Sequence, residues 1–120
     1  MDESAIKQAG GTGQQIAAKL ARLKAEAVAK ARPDAIVIGS DQVAVLEGQL
    51  LDKPGSPEKA KAQLARLSGK THRLITAVCV LHLDQAHEWT DFTDMTMRPL
   101  TRAEIDWYVE REDEIGRAHV

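Results

Sequence analysis

The residues Gly39-Ser40-Asp41-Gln42-Val43 place a hydroxyl, a carboxylate and an amide side by side, directly after the apolar run Ala35-Ile36-Val37-Ile38. A carboxylate in such a place can hold a metal ion or take a proton from water. The run before it is too short for a helix and rich in β-branched side chains, the pattern of a strand buried on both faces. Gly39 is expected to break that strand, so that Asp41 lies just past its carboxyl end. In open α/β sheets that edge is where ligands bind. The plainer reading makes Asp41 a turn residue that hydrogen-bonds its own backbone. Two lysines qualify as companions. Lys24 borders the apolar stripe of a helix, where lysines usually reach out to water. Lys53 precedes Pro54 in a loop. Two cations facing one carboxylate would suit a phosphate group bridged by a metal ion.

Other reactive side chains carry less. His72, His82, His87 and His119 show no metal-ligand spacing and no HExxH pattern. His72 reads as a polar residue at a strand edge. Ser40 has no convincing base partner, and its surroundings are not a GxSxG elbow. Glu104 sits three residues after Thr101, the spacing of a capping box. Cys79, the single cysteine, lies in an apolar run and reads as a small buried hydrophobe. Neither GxxxxGK[ST] nor GxGxxG occurs.

The elements that must position these residues follow from periodicity. Residues 1–11 are polar and glycine-bearing and read as a loose leader. Ile16, Leu20, Leu23 and Ala27 recur at helical spacing within 14–30, and Pro33 ends that helix. A strand at 35–38 follows, then a hairpin of 43–46 and 49–51 turning at Glu47-Gly48. Ser56-Pro57 opens a second helix, with Ala60, Leu64 and Leu67 on its buried face and Ser68-Gly69 at its end. Residues 72–82 are apolar on both alternating faces and predict a central strand. Residues 83–86 turn, and 88–98 form another strand. Thr101 starts a third helix carrying Ile105, Trp107, Tyr108 and Val109. This order predicts an α/β chain with a mixed sheet flanked by helices.

Composition bounds the rest. The 120 residues suffice for one domain. A formal charge of −2 does not favour a nucleic-acid partner, which normally meets a basic face. No apolar stretch reaches membrane-spanning length, and residues 1–11 lack the basic and apolar regions of a signal peptide. A cytoplasmic protein is expected, with neither nucleic acid nor membrane as partner.

Taken in order, several segments resemble the Maf-like nucleotide pyrophosphatases. They are Leu20-Ala21-Arg22-Leu23-Lys24-Ala25, then Gly39 to Val43, then Lys53-Pro54-Gly55. Leu67-Ser68-Gly69-Lys70-Thr71-His72 with Thr76 follows, and last Met97-Arg98-Pro99-Leu100-Thr101 with Glu104, Ile105 and Tyr108. The resemblance runs from about Asp2 to Glu110 and implies a Maf/ITPase-like fold. It implies hydrolysis of a nucleoside triphosphate to monophosphate and pyrophosphate with a divalent cation, magnesium or manganese. It makes Asp41 the catalytic proton acceptor and metal ligand, and Gln42 a specificity position beside the base. Lys24 and Lys53 become phosphate-binding, with Glu3 as a further substrate-binding candidate. Gln42 resembles the branch acting on 7-methylguanosine triphosphate; the branch acting on thymidine and uridine triphosphates tends to have Thr there. The alternatives are that pyrimidine branch and a non-catalytic nucleotide-binding module. A homodimer is the candidate assembly.

Departures from the family shape a further expectation. The family opens with a strand and a Ser-x-x-Arg-Arg-like segment, whereas this sequence starts near the family's Asp-Glu pair, at Asp2-Glu3. The family also continues past the helix at 101–110. Asp52 stands where the family usually has Gly. Ile115-Gly116-Arg117-Ala118-His119-Val120 reads as a translated sequencing adapter. The expectation is a partial domain at 1–113, incomplete at both ends, a non-native tail at 114–120, and poor or absent activity in the fragment.

Overall fold

The computed structural model describes residues 3–8, 10–51 and 53–118, and of residues 3, 4, 8 and 113–118 it describes the backbone alone. The elements are α1 (Glu3–Gln8), α2 (Gly13–Ala31), β1 (Val37–Leu46), β2 (Gln49–Leu51), α3 (Pro57–Leu67), β3 (Thr71–His82), β4 (Gln85–Thr96) and α4 (Arg102–Ala118). The strands form one sheet in the order β2-β1-β3-β4. β1 runs antiparallel to both β2 and β3. Helices with a four-stranded sheet make the α/β class that the element order predicts. The chain forms two compact units, residues 1–51 with 73–94, and residues 52–72 with 95–120.

In the first unit, α2 lies against β1. Thr12 and Gln15 close a reciprocal capping box at its start. The helix buries Ile16, Ala17, Leu20, Ala21 and Ala25. Ala27, expected in the stripe, is exposed, and Leu23 is half-buried. The reason lies across the interface at Gly39. A Cβ placed there would stand 2.3 Å from the Ala21 carbonyl oxygen and 2.7 Å from the Ala25 nitrogen. Backbone would meet backbone there, so α2 presents Ala21 and Ala25 at this contact, with Ile16, Ala17 and Leu20 buried in the same core. Val37, Val43, Ile75, Ala77 and Cys79 complete this core from β1 and β3.

This contact overturns three expectations. Gly39 does not end a strand; it lets a helix approach one, the other common use of a strand glycine. β1 therefore runs unbroken through ten residues, and Asp41 lies in its middle, opposite Ala77 of β3, not past a carboxyl end. Nor is β1 buried on both faces. Val37, Gly39 and Val43 face the core, whereas Ile36 and Ile38 on the other face are 66% and 68% exposed. The short run of isoleucine and valine is compatible with either arrangement, because β-branched residues fit a half-buried pleat equally well. The segment read as a leader also folds: α1 packs against α2, with Ile6 half-buried against the core. A single helical turn and a half carries too few apolar residues for periodicity to register. The hairpin turn is as expected, with Glu47 and Gly48 both in the left-handed region (φ 52° and 80°).

In the second unit, α3 starts at Ser56, whose hydroxyl accepts from the Lys59 nitrogen, with Pro57 in the first turn. α4 starts with the capping box read from the sequence. The Thr101 nitrogen donates to Glu104 Oε1, and the Glu104 nitrogen donates to Thr101 Oγ1. Leu67, Ile105 and Val109 are buried, and Lys61 reaches Asp106 and Glu110 of α4 at 3.4 and 3.5 Å. Trp107 and Tyr108 are mostly exposed. His72, at the start of β3, is buried, not an exposed strand-edge residue. Among the described buried side-chain atoms, its Nδ1 alone lacks a hydrogen-bond partner.

Two predictions test this account. Gly39→Val should lower unfolding stability by about 3 kcal/mol or more, because the clash is with backbone and cannot be relieved by a rotamer change; urea denaturation measures it. The Glu104 carboxyl is held down to about 2, first by the Arg98 guanidinium and next by the Thr101 backbone N–H. A depressed folded-state value stabilises above the unfolded value of 4.5 and loses that contribution as pH falls towards about 2. Glu104→Gln should thus lower the melting temperature at pH 7 and match the wild-type chain near pH 2, as read by circular dichroism.

Candidate functional site

Asp41 and Lys24 meet. The Lys24 ammonium donates to Asp41 Oδ1 at 2.8 Å. The side chains are 34% and 11% exposed respectively, so the pair sits at the margin of the core and opens to water on the lysine side. Sequence and fold both contribute. Strand alternation turns Asp41, with Gly39 and Val43, toward α2. Gly39 brings α2 close, and Lys24 stands one residue before Ala25, which packs over Gly39. Across the ladder, Asp41 faces Ala77, whose methyl group leaves space and offers no competing donor. A long side chain at 24 is the one that spans from the helix to the carboxylate.

Such a pair has a definite chemical repertoire. An ammonium carries three donors, so it can serve a carboxylate and an incoming oxyanion together. A carboxylate held by an ammonium is fixed in orientation, which suits a proton acceptor or an electrostatic anchor. Among the described residues, no three His, Cys, Asp or Glu side chains gather around a common point. A divalent cation at Asp41 would therefore find fewer than three such side chains among the described residues.

The other expected site residues are placed differently. Gln42 is next to Asp41 in sequence, but the pleat sends it to the opposite, open face of β1. There its Nε2 donates to Thr76 Oγ1 at 2.9 Å, and the two residues stand directly opposite in the β1–β3 register. Lys53 is exposed in the loop between β2 and α3 and belongs to the second unit. Glu3 opens α1, and its side chain lies outside the described residues, as do Asp2 and Asp52. Ser40 is exposed on the open face of β1. Cys79 is buried and unpaired, and burial pushes its thiol up from the ordinary value, so it is the hydrophobe expected of it.

The residue that sequence reasoning misses is Thr76, which enters there only as part of a motif. Its signal in the sequence is a hydroxyl standing between Leu74 and Val78 in an otherwise apolar stretch, which does not reveal that it shares a face with Gln42. The ladder register cannot be read from either strand alone.

No helix of the described residues is long and apolar enough to cross a membrane. The Maf-like protein family model matches residues 1–119. The chain is 43% identical over 118 residues to the 7-methyl-GTP pyrophosphatase of Bdellovibrio bacteriovorus, covering 98% of this chain and 61% of that protein. It is 49% identical over 113 residues to the 7-methyl-GTP pyrophosphatase of Xanthomonas campestris pv. campestris, covering 93% of this chain and 58% of that protein. A dTTP/UTP pyrophosphatase of Vibrio parahaemolyticus is 38% identical over 118 residues, covering 98% of this chain and 62% of that protein. The chain thus spans about three fifths of the length of these curated relatives.

A double-mutant cycle tests the ion pair itself. Lys24→Met leaves a largely buried carboxylate without its cation and should cost about 1–3 kcal/mol of unfolding stability. Asp41→Asn should cost less, and combining Lys24→Met with Asp41→Asn should cost little more than Asp41→Asn alone. Additive costs in guanidinium denaturation would show that the two side chains do not act on each other.

Proposed function

Because this chain belongs to the Maf-like family, we propose that it carries a nucleoside-triphosphate pyrophosphatase site centred on Asp41, with 7-methyl-GTP as substrate. The observation that carries this is the 2.8 Å contact between Lys24 and Asp41: a proton acceptor and a phosphate-binding cation share one place. The names of relatives at 43% and 49% identity support the substrate.

In this reading, water attacks the α-phosphorus. A bond forms from the water oxygen to phosphorus, the bond to the β-phosphate bridging oxygen breaks, and Asp41 takes the water's proton. Pyrophosphate leaves with negative charge growing on its oxygens. Lys24, oriented by Asp41, turns its ammonium toward those oxygens, where a fixed cation lowers the barrier. Lys53 and Glu3 are proposed as further substrate contacts on the strength of the resemblance. Magnesium or manganese, when bound, would neutralise phosphate charge beside Asp41. Gln42 is proposed to meet the base. Asp41 and Gln42 leave β1 on opposite faces, so chemistry and recognition are divided between the two sides of one strand. The nucleotide reading places the chain in the cytoplasm, where nucleoside triphosphates are found.

The pyrimidine alternative has its own support in the dTTP/UTP pyrophosphatase relative at 38% identity. Comparing 7-methyl-GTP with UTP separates the two.

The test is pyrophosphate release from 7-methyl-GTP in magnesium. Asp41→Asn should lower the rate about 10²- to 10⁴-fold, the scale of general-base catalysis, while nucleotide binding persists. Binding without turnover, unchanged by Asp41→Asn, would instead identify a non-catalytic nucleotide-binding module.

A further inference from the structure

The hydrogen bond between Gln42 and Thr76 lies outside the catalytic pair, yet it is placed to govern what Gln42 can do. We propose that Thr76 is a positioning residue: it anchors the Gln42 amide so that the chain favours a nucleotide with a positively charged base over one with a neutral base. The proposal rests on the reading that Gln42 meets the base.

The geometry is specific to this pair of positions. Gln42 and Thr76 are directly opposite in the antiparallel ladder, where Cβ atoms stand about 5 Å apart. At that spacing a glutamine can fold back onto a threonine hydroxyl without leaving its rotamer wells. The neighbours of Thr76 on this face of β3, Leu74 and Val78, lie opposite Ala44 and Ser40 and have no polar group to offer. Thr76 is half-buried and Gln42 exposed. The anchor is thus held by packing, whereas the amide it holds faces the open side of the sheet.

In the orientation seen here the hydroxyl holds the amide by its nitrogen. Thr76 Oγ1 accepts from Nε2, so the carbonyl oxygen Oε1 is the end of the amide left for a ligand. A 7-methylguanine ring carries a positive charge, and a fixed carbonyl dipole attracts it. Uracil is neutral and gains no such attraction. An unanchored glutamine would rotate and present its NH2 group as readily, losing the preference and also costing side-chain ordering on binding. A β-branched threonine is stiff about χ1, which makes it a better fixed point than a serine, although the hydroxyl is what forms the bond.

The experiment measures dissociation constants of 7-methyl-GTP and UTP for the 120-residue chain by isothermal titration calorimetry, and reads their ratio. The unaltered chain should bind 7-methyl-GTP more tightly. Thr76→Val keeps the shape and removes the hydroxyl; it should reduce the ratio about tenfold, the scale of one positioning hydrogen bond. Thr76→Ser should restore most of it. Gln42→Ala should reduce the ratio as well, and Thr76→Val added to it should change nothing further. If Gln42→Ala lowers the ratio and Thr76→Val does not, or if Thr76→Val weakens both nucleotides equally, Thr76 has no positioning role and the proposal falls alone. If Gln42→Ala leaves the ratio unchanged, or if neither nucleotide binds, the reading of Gln42 falls and takes the proposal with it.

Discussion

The absence of a side chain at Gly39 is the constraint on which the first unit depends. Any Cβ there would overlap the backbone of α2 at Ala21 and Ala25. With hydrogen in its place, Ala21 and Ala25 of the helix lie directly against the strand. That closeness does two things at once. It removes Ala17, Ala21 and Ala25 from water almost completely, and it shortens the gap between α2 and the core face of β1 until a lysine on the helix can reach a carboxylate on the strand. Dense packing and an ion pair have the same origin.

The ion pair does not have to be strongly stabilising to matter. Pairs at a core margin gain Coulomb energy but lose hydration, and the balance is small. Its consequence is geometric. Two flexible charged side chains become one object with a known orientation, so that in the proposed function an arriving phosphate would meet a cation already in place. The same contrast appears in the second unit. Arg98, Glu104 and Thr101 gather at the start of α4, and the arginine holds the Glu104 carboxyl down to about 2, yet all of this is explained by closing a helix end. A strongly shifted carboxyl marks a cap here. The carboxylate proposed for chemistry is the one that Lys24 holds.

β1 also divides labour by its pleat. Adjacent residues in a strand point to opposite sides, so the sequence neighbours Asp41 and Gln42 have different surroundings. One faces a helix and a cation. The other faces an open sheet surface and a threonine. A dipeptide that looks like a single motif in sequence is two local environments in the fold, with the backbone between them.

Much of this is legible in the chain itself. Caps at Ser56 and Thr101, the Glu47-Gly48 turn, the central strand at 72–82 and the helix ended by Pro33 follow from local rules, because the groups that satisfy them lie within a few residues. The motifs are legible too, as an ordered resemblance that the family match bears out. What cannot be read is anything that depends on a distant partner. Gly39 looks the same whether it turns a strand or admits a helix, and only the presence of Ala21 and Ala25 above it decides. Reading that glycine as a break puts Asp41 past a strand end, and Thr76 gains meaning only from the register that sets it against Gln42. Residue types and their local order determined the elements and the chemistry on offer; the tertiary structure decided which groups meet, since contact across 17 or 34 residues is set by packing and pleat, which no short stretch of sequence contains.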